Sequence, residues 1–443
     1  MLSESLTAEG AAAAMEAKKA SWQRTVFALT FVNYAMAHIA RKCYTNVKTD
    51  LVDAGVNKVI LSQMDMGFMF TYAIGSFISG RLGDMFPQNV VLGIGLIGSL
   101  LCLGMIWFFW LIDLVHTNYT LGFGAFVFAQ LLHGFFQSTG GPVNTSIMGN
   151  WFPKKGRGLI FGLWTCHQYV GDIASGLCTA AIVNAGFGWQ YALIGPGVLS
   201  ALWGVVNFFY LPNEPAEVGI FEGDKKPGSA AAAPGGGESI SFMKALMIPN
   251  VLNYAVAFGF FKFINYAMFF WLPFFLAIHF DPQSANVISS LYSFGMMPGG
   301  VIVGWVSDLF GGRRACVIGV FMCFLAPLLW FFALYSATMN PILLLVLLCI
   351  MGILVGGPNN IITSAVAADL ADDPSIGGNT RSLGTVTGII NGSGSITAAF
   401  GLMLIGPLQE MGGWTFVWYF LIACVIAGTA LLGPNIMKEL KQK

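Results

Sequence analysis

GGPVN, from Gly140 to Asn144, and GGPNN, from Gly356 to Asn360, are one five-residue phrase written twice, 216 residues apart in a chain of 443. A second pair behaves the same way. Gly80-Arg81-Leu82-Gly83-Asp84-Met85-Phe86 and Gly304-Trp305-Val306-Ser307-Asp308-Leu309-Phe310 share the frame G-x-x-x-D-x-F and lie 224 apart. Two motif types, in one order and at nearly one offset, mark the N- and C-terminal halves as copies of one unit. In a chain this apolar, a two-fold internal repeat points to a membrane transporter whose site lies between the halves.

Composition sets the solvent. The chain is 56% hydrophobic and 9% charged, with a mean hydropathy of +0.72, where soluble domains carry about 25% charged residues. That balance implies an integral membrane protein whose partner is the lipid bilayer. Net charge is zero, so no nucleic acid is implied. The eight cysteines are scattered, with no C-x-x-C pair, and read as small buried hydrophobes. No metal cluster, cofactor motif, nucleophile elbow or phosphate loop is found, so no enzyme is expected. The N-terminus has no signal-peptide pattern, and its first twenty residues, polar and Ala-rich, read as a disordered tail.

Twelve stretches are long and apolar enough to cross a bilayer. They are 25–49, 62–83, 89–111, 120–150, 157–185, 188–211, 249–279, 284–306, 315–336, 341–369, 382–407 and 413–433. The expected fold is therefore an all-α membrane protein of twelve transmembrane helices in two pseudo-symmetric six-helix halves. Its expected divisions are a tail (1–22), a first half (23–211), a linker (212–248), a second half (249–434) and a tail (435–443). The linker contains the low-complexity run AAAAPGGG at 230–237 and reads as flexible and solvated. With the N-terminus cytoplasmic, sixteen of the 21 Lys and Arg fall in the tails and even-numbered loops or at the span ends beside them. Lys48, at the end of the first span, and Lys58 fall on the other side, and Arg41, Lys42 and Lys262 fall deeper inside spans. That asymmetry places both termini in the cytoplasm. Asn118-Tyr119-Thr120 is a glycosylation sequon on the opposite side. This architecture resembles the major facilitator superfamily. The two G-x-x-x-D-x-F segments resemble that superfamily's loop motif after helices 2 and 8, which makes Arg81, Asp84 and Asp308 candidate gating residues.

A cation near the bilayer centre costs about 2.5–3.5 kcal/mol on insertion scales, and so marks a site by default. In the first span Tyr34, His38 and Arg41 are spaced i, i+4, i+7 and share a face. Arg41 offers a planar fork suited to two phosphate oxygens; otherwise it snorkels to the outer interface, as is expected of Lys42. In the seventh span Lys262, Asn265 and Tyr266 share a face. That span holds no acid, so a neutralising partner for Lys262 would have to be an acid elsewhere, such as Asp65 or Asp172. Lys262 follows Arg41 by 221 residues, nearly the repeat offset, so each half contributes one cation at an equivalent place. His167, Tyr72 and Asn391 are further candidate contacts, the last with Ser393 and Ser395 among the glycines of the eleventh span. His133 reads as structural. Two membrane cations without matching acids call for an anion, and a phosphomonoester carries about −1.5 to −2 charge at pH 7.

Several segments then resemble the organophosphate/phosphate antiporters, and most closely the eukaryotic sugar-phosphate exchangers of solute-carrier family 37. They include Trp164-Thr-Cys-His-Gln-Tyr-Val-Gly171, Asn213-Glu-Pro-Ala-Glu-Val-Gly219, Phe269-Phe-Trp-Leu-Pro273, Ala365-Val-Ala-Ala-Asp-Leu370 and Thr385-Val-Thr-Gly-Ile-Ile-Asn-Gly-Ser-Gly394. The resemblance implies that Arg41 and a cation on helix 7 hold a phosphate. Bacterial members have an Arg where Asn265 stands; here the cation is one turn earlier, at Lys262. Ser76 stands where bacterial members carry a lysine. The implied activity is exchange of a sugar phosphate, glucose 6-phosphate, for inorganic phosphate in the endoplasmic reticulum membrane. The alternative is a proton-coupled symporter for a neutral sugar or other small organic solute, which needs a buried carboxylate to carry the proton. The sequence does not give the oligomeric state.

Overall fold

Lipid cannot bond to exposed backbone amides, so apolar runs of this length must satisfy them internally, as helices. A computed structural model describes residues 2–152, 157–221, 241–336, 338–371, 373 and 383–441, and among them there is no strand. Each expected span corresponds to helix. They are α1 (Leu2–Asn46), α2 (Lys58–Met85), α3 (Gln88–Leu111), α4 (Tyr119–Gln137 continuing as Gly140–Trp151), α5 (Arg157–Trp164 and His167–Asn184) and α6 (Trp189–Tyr210). The second half has α7 (Val251–Leu276), α8 (Pro282–Leu309), α9 (Arg314–Tyr335) and α10 (Pro341–Ala371, with a π-helical turn at Ile362–Val366). The last stretch, Leu383–Leu431, breaks where Gly413 takes φ 66°, giving α11 (383–411) and α12 (414–431). Among the described residues eight helical stretches are long and apolar enough to cross a membrane, the last of them holding both α11 and α12. Outside that group are α1, α2 and α5, which carry charged and polar residues such as Arg41, Lys42, Asp65, His167 and Asp172.

Two tails differ from expectation. Residues 2–22 are the first part of α1, because an Ala-rich segment has the highest helix propensity. The C-terminal tail forms a helix, Gly433–Lys441. Its Glu439 carboxylate accepts the backbone N–H groups of Ala315 and Cys316 (3.0 and 2.9 Å), which is where a helix start has free donors and favours an anion. Most of the expected linker, 222–240, lies outside the described residues.

The repeat is visible in the packing. In the first half α2 packs on α4, and in the second α8 packs on α10. A Cβ added at Gly134 of α4 would lie 2.1 Å from the Phe68 carbonyl of α2, and one at Gly352 of α10 would lie 2.1 Å from the Tyr292 carbonyl of α8. Both pairs need glycine for the same close approach. The two repeated motifs of the first half also meet. A Cβ on Gly83 would touch Val143 at 3.1 Å and one on Gly80 would touch Pro142 at 3.8 Å. Pro142 has no N–H, which leaves the Ser138 carbonyl without its helical donor. Ser79 of α2 donates to that carbonyl at 3.0 Å.

The halves join through α2 with α11 and α5 with α8. Polar contacts between them gather at the helix ends remote from the linker. Asn286 donates to the Asn46 carbonyl (2.9 Å), Ser62 to the Met403 carbonyl (3.2 Å) and Lys42 to the Phe269 carbonyl. Lys42 is thus buried at 6% exposure, not snorkelled; its ammonium lies 4.2 Å from the Phe269 ring centroid. Lys48, expected on the non-cytoplasmic side, is also fully buried. It pairs with Asp65 at 2.5 Å, both side chains at 0% exposure, beneath Trp271 of α7. The short helix Lys48–Asp53 folds it inward, and the aromatic rings of α7 close over it.

Removing one partner of a buried ion pair strands the other charge, which costs about 3–5 kcal/mol, while replacing both by apolar groups is often neutral. Asp65→Asn should therefore lower the melting temperature in detergent markedly, and the double variant Lys48→Met/Asp65→Leu should melt nearer to the wild type. Equal melting of Asp65→Asn and the wild type would contradict the dry pair.

Candidate binding cavity between the halves

Helical spacing brings Tyr34, His38 and Arg41 to the inner face of α1, as the sequence requires. Arg41 is 2% exposed. Its guanidinium lies 4.7 Å from the Tyr72 ring centroid and 5.3 Å from that of Phe68. Nη2 donates to Gln137 Oε1 at 3.4 Å, and Nε has no partner. The Tyr72 and Tyr266 hydroxyls are within its reach. No carboxylate pairs with it among the described residues. Its neighbours are rings, phenols and an amide.

Lys262 of α7 is 6% exposed. Its ammonium donates to Asn391 Oδ1 (2.5 Å), the Asn391 carbonyl (3.2 Å) and Ser395 Oγ (2.7 Å). All three acceptors are neutral and lie on α11. Gly394 makes the approach possible, since a Cβ there would sit 3.1 Å from Lys262 Cδ. The acids that could have neutralised Lys262 are committed elsewhere. Asp65 holds Lys48, and Asp172 Oδ1 is 2.9 Å from His38 Nδ1. Lys42 also lacks a carboxylate, so among the described residues the buried cations without one number three, not two; Lys42 is satisfied by its carbonyl and ring.

A cavity of about 200 Å³ opens between the halves, and Tyr34, His38, Tyr72, Lys262, Asn265, Tyr266 and Asn391 line it. These are seven of the nine expected contacts. Arg41 stands behind Tyr72. His167 stands behind Tyr34, ring centroids 4.2 Å apart, and against Trp164 at 4.5 Å. It is buried at 4% exposure, with no hydrogen-bond partner on either nitrogen. The Tyr34 and Tyr72 hydroxyls meet at 3.4 Å, forming a phenolic screen between Arg41, His167 and the cavity. His133 is buried against Phe68 and bonded to Gln130 at 3.2 Å, a packed histidine.

The gating candidates are less engaged. Arg81 and Asp308 are exposed near the linker-side ends of α2 and α8, without an ion pair among the described residues; the Asp84 side chain lies outside them. A different pair joins α9 to α10, with Arg314 Nε 2.6 Å and Nη2 3.2 Å from the two Asp369 oxygens. Sequence reasoning also missed Tyr169, Tyr292, Asn359 and Asn360 on the cavity wall. Asn359 and Asn360 close the GGPNN phrase, so a signal was present; its spacing could not say which way the amides point.

An all-helical membrane protein of two like halves around one polar, cation-flanked cavity is the class that fold and site define. The sequence profile of the Major Facilitator Superfamily matches residues 27–402 and 276–438. Sugar phosphate exchanger 3 of Bos taurus is 32% identical, with 94% of this chain and 92% of the relative covered. The glucose-6-phosphate exchanger SLC37A2 of Xenopus laevis is 33% identical, with 87% and 81% covered. A protein of Arabidopsis thaliana provisionally named glycerol-3-phosphate transporter 1 is 32% identical, with 96% and 89% covered. Among solved structures, a bacterial homolog of the human lysosomal transporter Spinster (14% identical, 94% and 96% covered) and the nucleoside transporter NupG (15%, 93% and 99%) each align with a TM-score of 0.66, which speaks for the fold alone. The chain belongs to the major facilitator superfamily and, within it, to the group that holds the sugar phosphate exchangers and the glycerol-3-phosphate transporters.

Because Lys262 is held by neutral acceptors only, a carboxylate placed there would compete with any anionic guest. Asn391→Asp should weaken phosphate binding by about tenfold or more, which corresponds to ~1.4 kcal/mol and is within the strength of one added partly buried charge. Competition for tracer exchange in vesicles measures it; Asn391→Asp with wild-type phosphate affinity would mean that the Lys262 ammonium does not meet the ligand.

Proposed function

We propose that the chain is an antiporter that exchanges a sugar phosphate, glucose 6-phosphate in the first instance, for inorganic phosphate by alternating access. The observation that carries the reading is the pair of buried cations from the two halves, Lys262 on the cavity wall and Arg41 behind Tyr72, neither paired with a carboxylate among the described residues, while Asp172 on the same wall is taken up by His38. A phosphomonoester brings about −1.5 to −2 charge and three acceptor oxygens. Arg41 can give a two-pronged bond and Lys262 a point charge. Tyr34, Tyr72, His38, Tyr266, Asn265 and Asn391 supply further donors around them, and His167 supports Tyr34 from behind.

Coupling follows from the same charges. Rocking the halves closed around empty, unpaired cations in low dielectric is costly. A bound dianion removes that cost in the closed state between the two end states and speeds interconversion, so phosphate must travel one way for its ester to travel the other. The relatives named for sugar phosphate exchange and glycerol-3-phosphate transport support the substrate class. They do not distinguish glucose 6-phosphate among its members. A proton-coupled symporter for a neutral solute is the second reading, and Asp172 on the cavity wall is the residue that favours it; it is bonded to His38. The basic residues favour cytoplasmic termini, and the resemblance favours the endoplasmic reticulum membrane.

Vesicles containing the purified protein test the reading. Labelled glucose 6-phosphate should enter only when the lumen holds phosphate; uptake into empty vesicles, or uptake of free glucose driven by a pH gradient, would reject the exchanger. Arg41→Ala and Lys262→Ala should each abolish exchange while the protein still inserts, since truncating one partner of a buried charge contact costs about 2–5 kcal/mol or more. Arg41→Lys should be impaired too, and His167→Ala less so. Normal exchange in either alanine variant would remove that residue from the site.

A further inference from the structure

The cavity wall holds two polar pairs that the cations do not explain. Tyr169 of α5 and Asn360 of α10 meet across the gap between the halves, with Asn360 Nδ2 donating to the Tyr169 hydroxyl at 3.1 Å. Tyr292 of α8 donates to Asn265 Oδ1 of α7 at 3.1 Å. All four side chains line the cavity. None of the four is charged, and among the described contacts neither Tyr169 nor Asn360 touches Arg41 or Lys262.

Phosphate oxygens are mainly acceptors, with one or two O–H donors on inorganic phosphate at neutral pH and none on a phosphomonoester dianion, so a wall that alternates acceptors with donors away from the cations is poorly matched to them. A hydroxyl group both donates and accepts. So do a phenol and a primary amide, each of which keeps bonding capacity after making one bond. A site built this way favours ligands with hydroxyls and rejects those without, because the polar groups are otherwise left unpaired against apolar surface.

We propose that the Tyr169–Asn360 bridge is the specificity element of the transporter: hydroxyls of a polyhydroxylated organic group bond to it and span α5 and α10, while inorganic phosphate makes no use of it. Asn265 and Tyr292 extend the same hydroxyl-reading surface. The two substrates of one exchange cycle then share the cation site and differ at the bridge. The bridge joins the halves on the cavity wall, so a guest that bonds to both sides ties substrate shape to the closeness of the halves. This inference rests on the exchanger reading above.

The test separates the two. In vesicles exchanging labelled phosphate, the half-inhibitory concentrations of unlabelled phosphate, ethyl phosphate and glucose 6-phosphate are measured for wild type, Asn360→Ala and Tyr169→Phe. The quantity read is the ratio of the glucose 6-phosphate value to the phosphate value, which is independent of how much active protein each preparation holds. Each variant should raise that ratio by about tenfold, the loss of one good hydrogen bond. The ratio for ethyl phosphate, which has no hydroxyl, should stay constant. The double variant should add little beyond either single one, because the two side chains act as a unit. A glucose 6-phosphate ratio unchanged in both variants, or one that moves equally with that of ethyl phosphate, overturns the proposal and makes the bridge a packing contact. A variant too slow for tracer exchange is read instead by the shift in melting temperature that each ligand produces, with the same ratio decisive. If the wild type exchanges no phosphate at all, the exchanger reading fails first, and this inference falls with it.

Discussion

The structure turns on positive charge that the protein does not neutralise. Burying a cation among rings and amides is unfavourable unless something answers its charge, and among the described residues two acids are buried and could have done so. It spends both elsewhere: Asp65 on Lys48 and Asp172 on His38. Arg41 and Lys262 keep only neutral partners. Gln137 and the phenols solvate the one, and Asn391 and Ser395 the other. Such partners lower the cost of burial without cancelling the field, so on the exchanger reading the cavity attracts a dianion.

A carrier must also let its halves move without coming apart. The repeat supplies rigidity within each half, through glycines that bring α4 onto α2 and α10 onto α8 at backbone contact. Cores packed that closely move as units. Between the halves one such approach recurs, Gly406 of α11 against the Lys58 carbonyl of α2 (2.3 Å to an added Cβ), beside the polar links. Asn286 with the Asn46 carbonyl, Ser62 with the Met403 carbonyl and Lys42 with the Phe269 carbonyl are single hydrogen bonds to main chain. Each is worth little net, about 0.5–1.5 kcal/mol, and more where a charge takes part. Rigid halves held by separable bonds are what a rocking motion requires.

Much of this was legible in the sequence. The spacing of GGPVN and GGPNN gave the two halves, apolar length gave the spans, and helical periodicity put Tyr34, His38 and Arg41 on one face and Lys262, Asn265 and Tyr266 on another. What was not legible depends on contacts distant in sequence. Nothing near Lys42 or Lys48 says that α7 will roof them with Phe269 and Trp271, so both read as interfacial residues when they are buried. Ala-rich residues 2–22 looked like a tail because they are polar on average; propensity, not average polarity, decides a helix that continues from a long one. The pairings of Asp65 with Lys48 and of Asn360 with Tyr169 join helices whose rotation about their axes no local pattern fixes.

Lys42 sharpens what makes a buried cation a candidate ligand contact. It is as buried as Lys262, both at 6% exposure, and among the described residues neither has a carboxylate. Burial and missing countercharge therefore do not separate them. Position does. Lys262 lines the cavity, with its acceptors behind it on α11, so its ammonium faces open space on one side. Lys42 is absent from that wall and turns instead to a carbonyl of the opposite half. One cation is arranged so that a guest can complete its coordination; the other is completed by the closed end of the protein itself. On the exchanger reading, the two lysines divide the work, one sensing the guest and the other the closure, and the free energy that joins them is the stabilisation a bound dianion gives to the state in which both are satisfied.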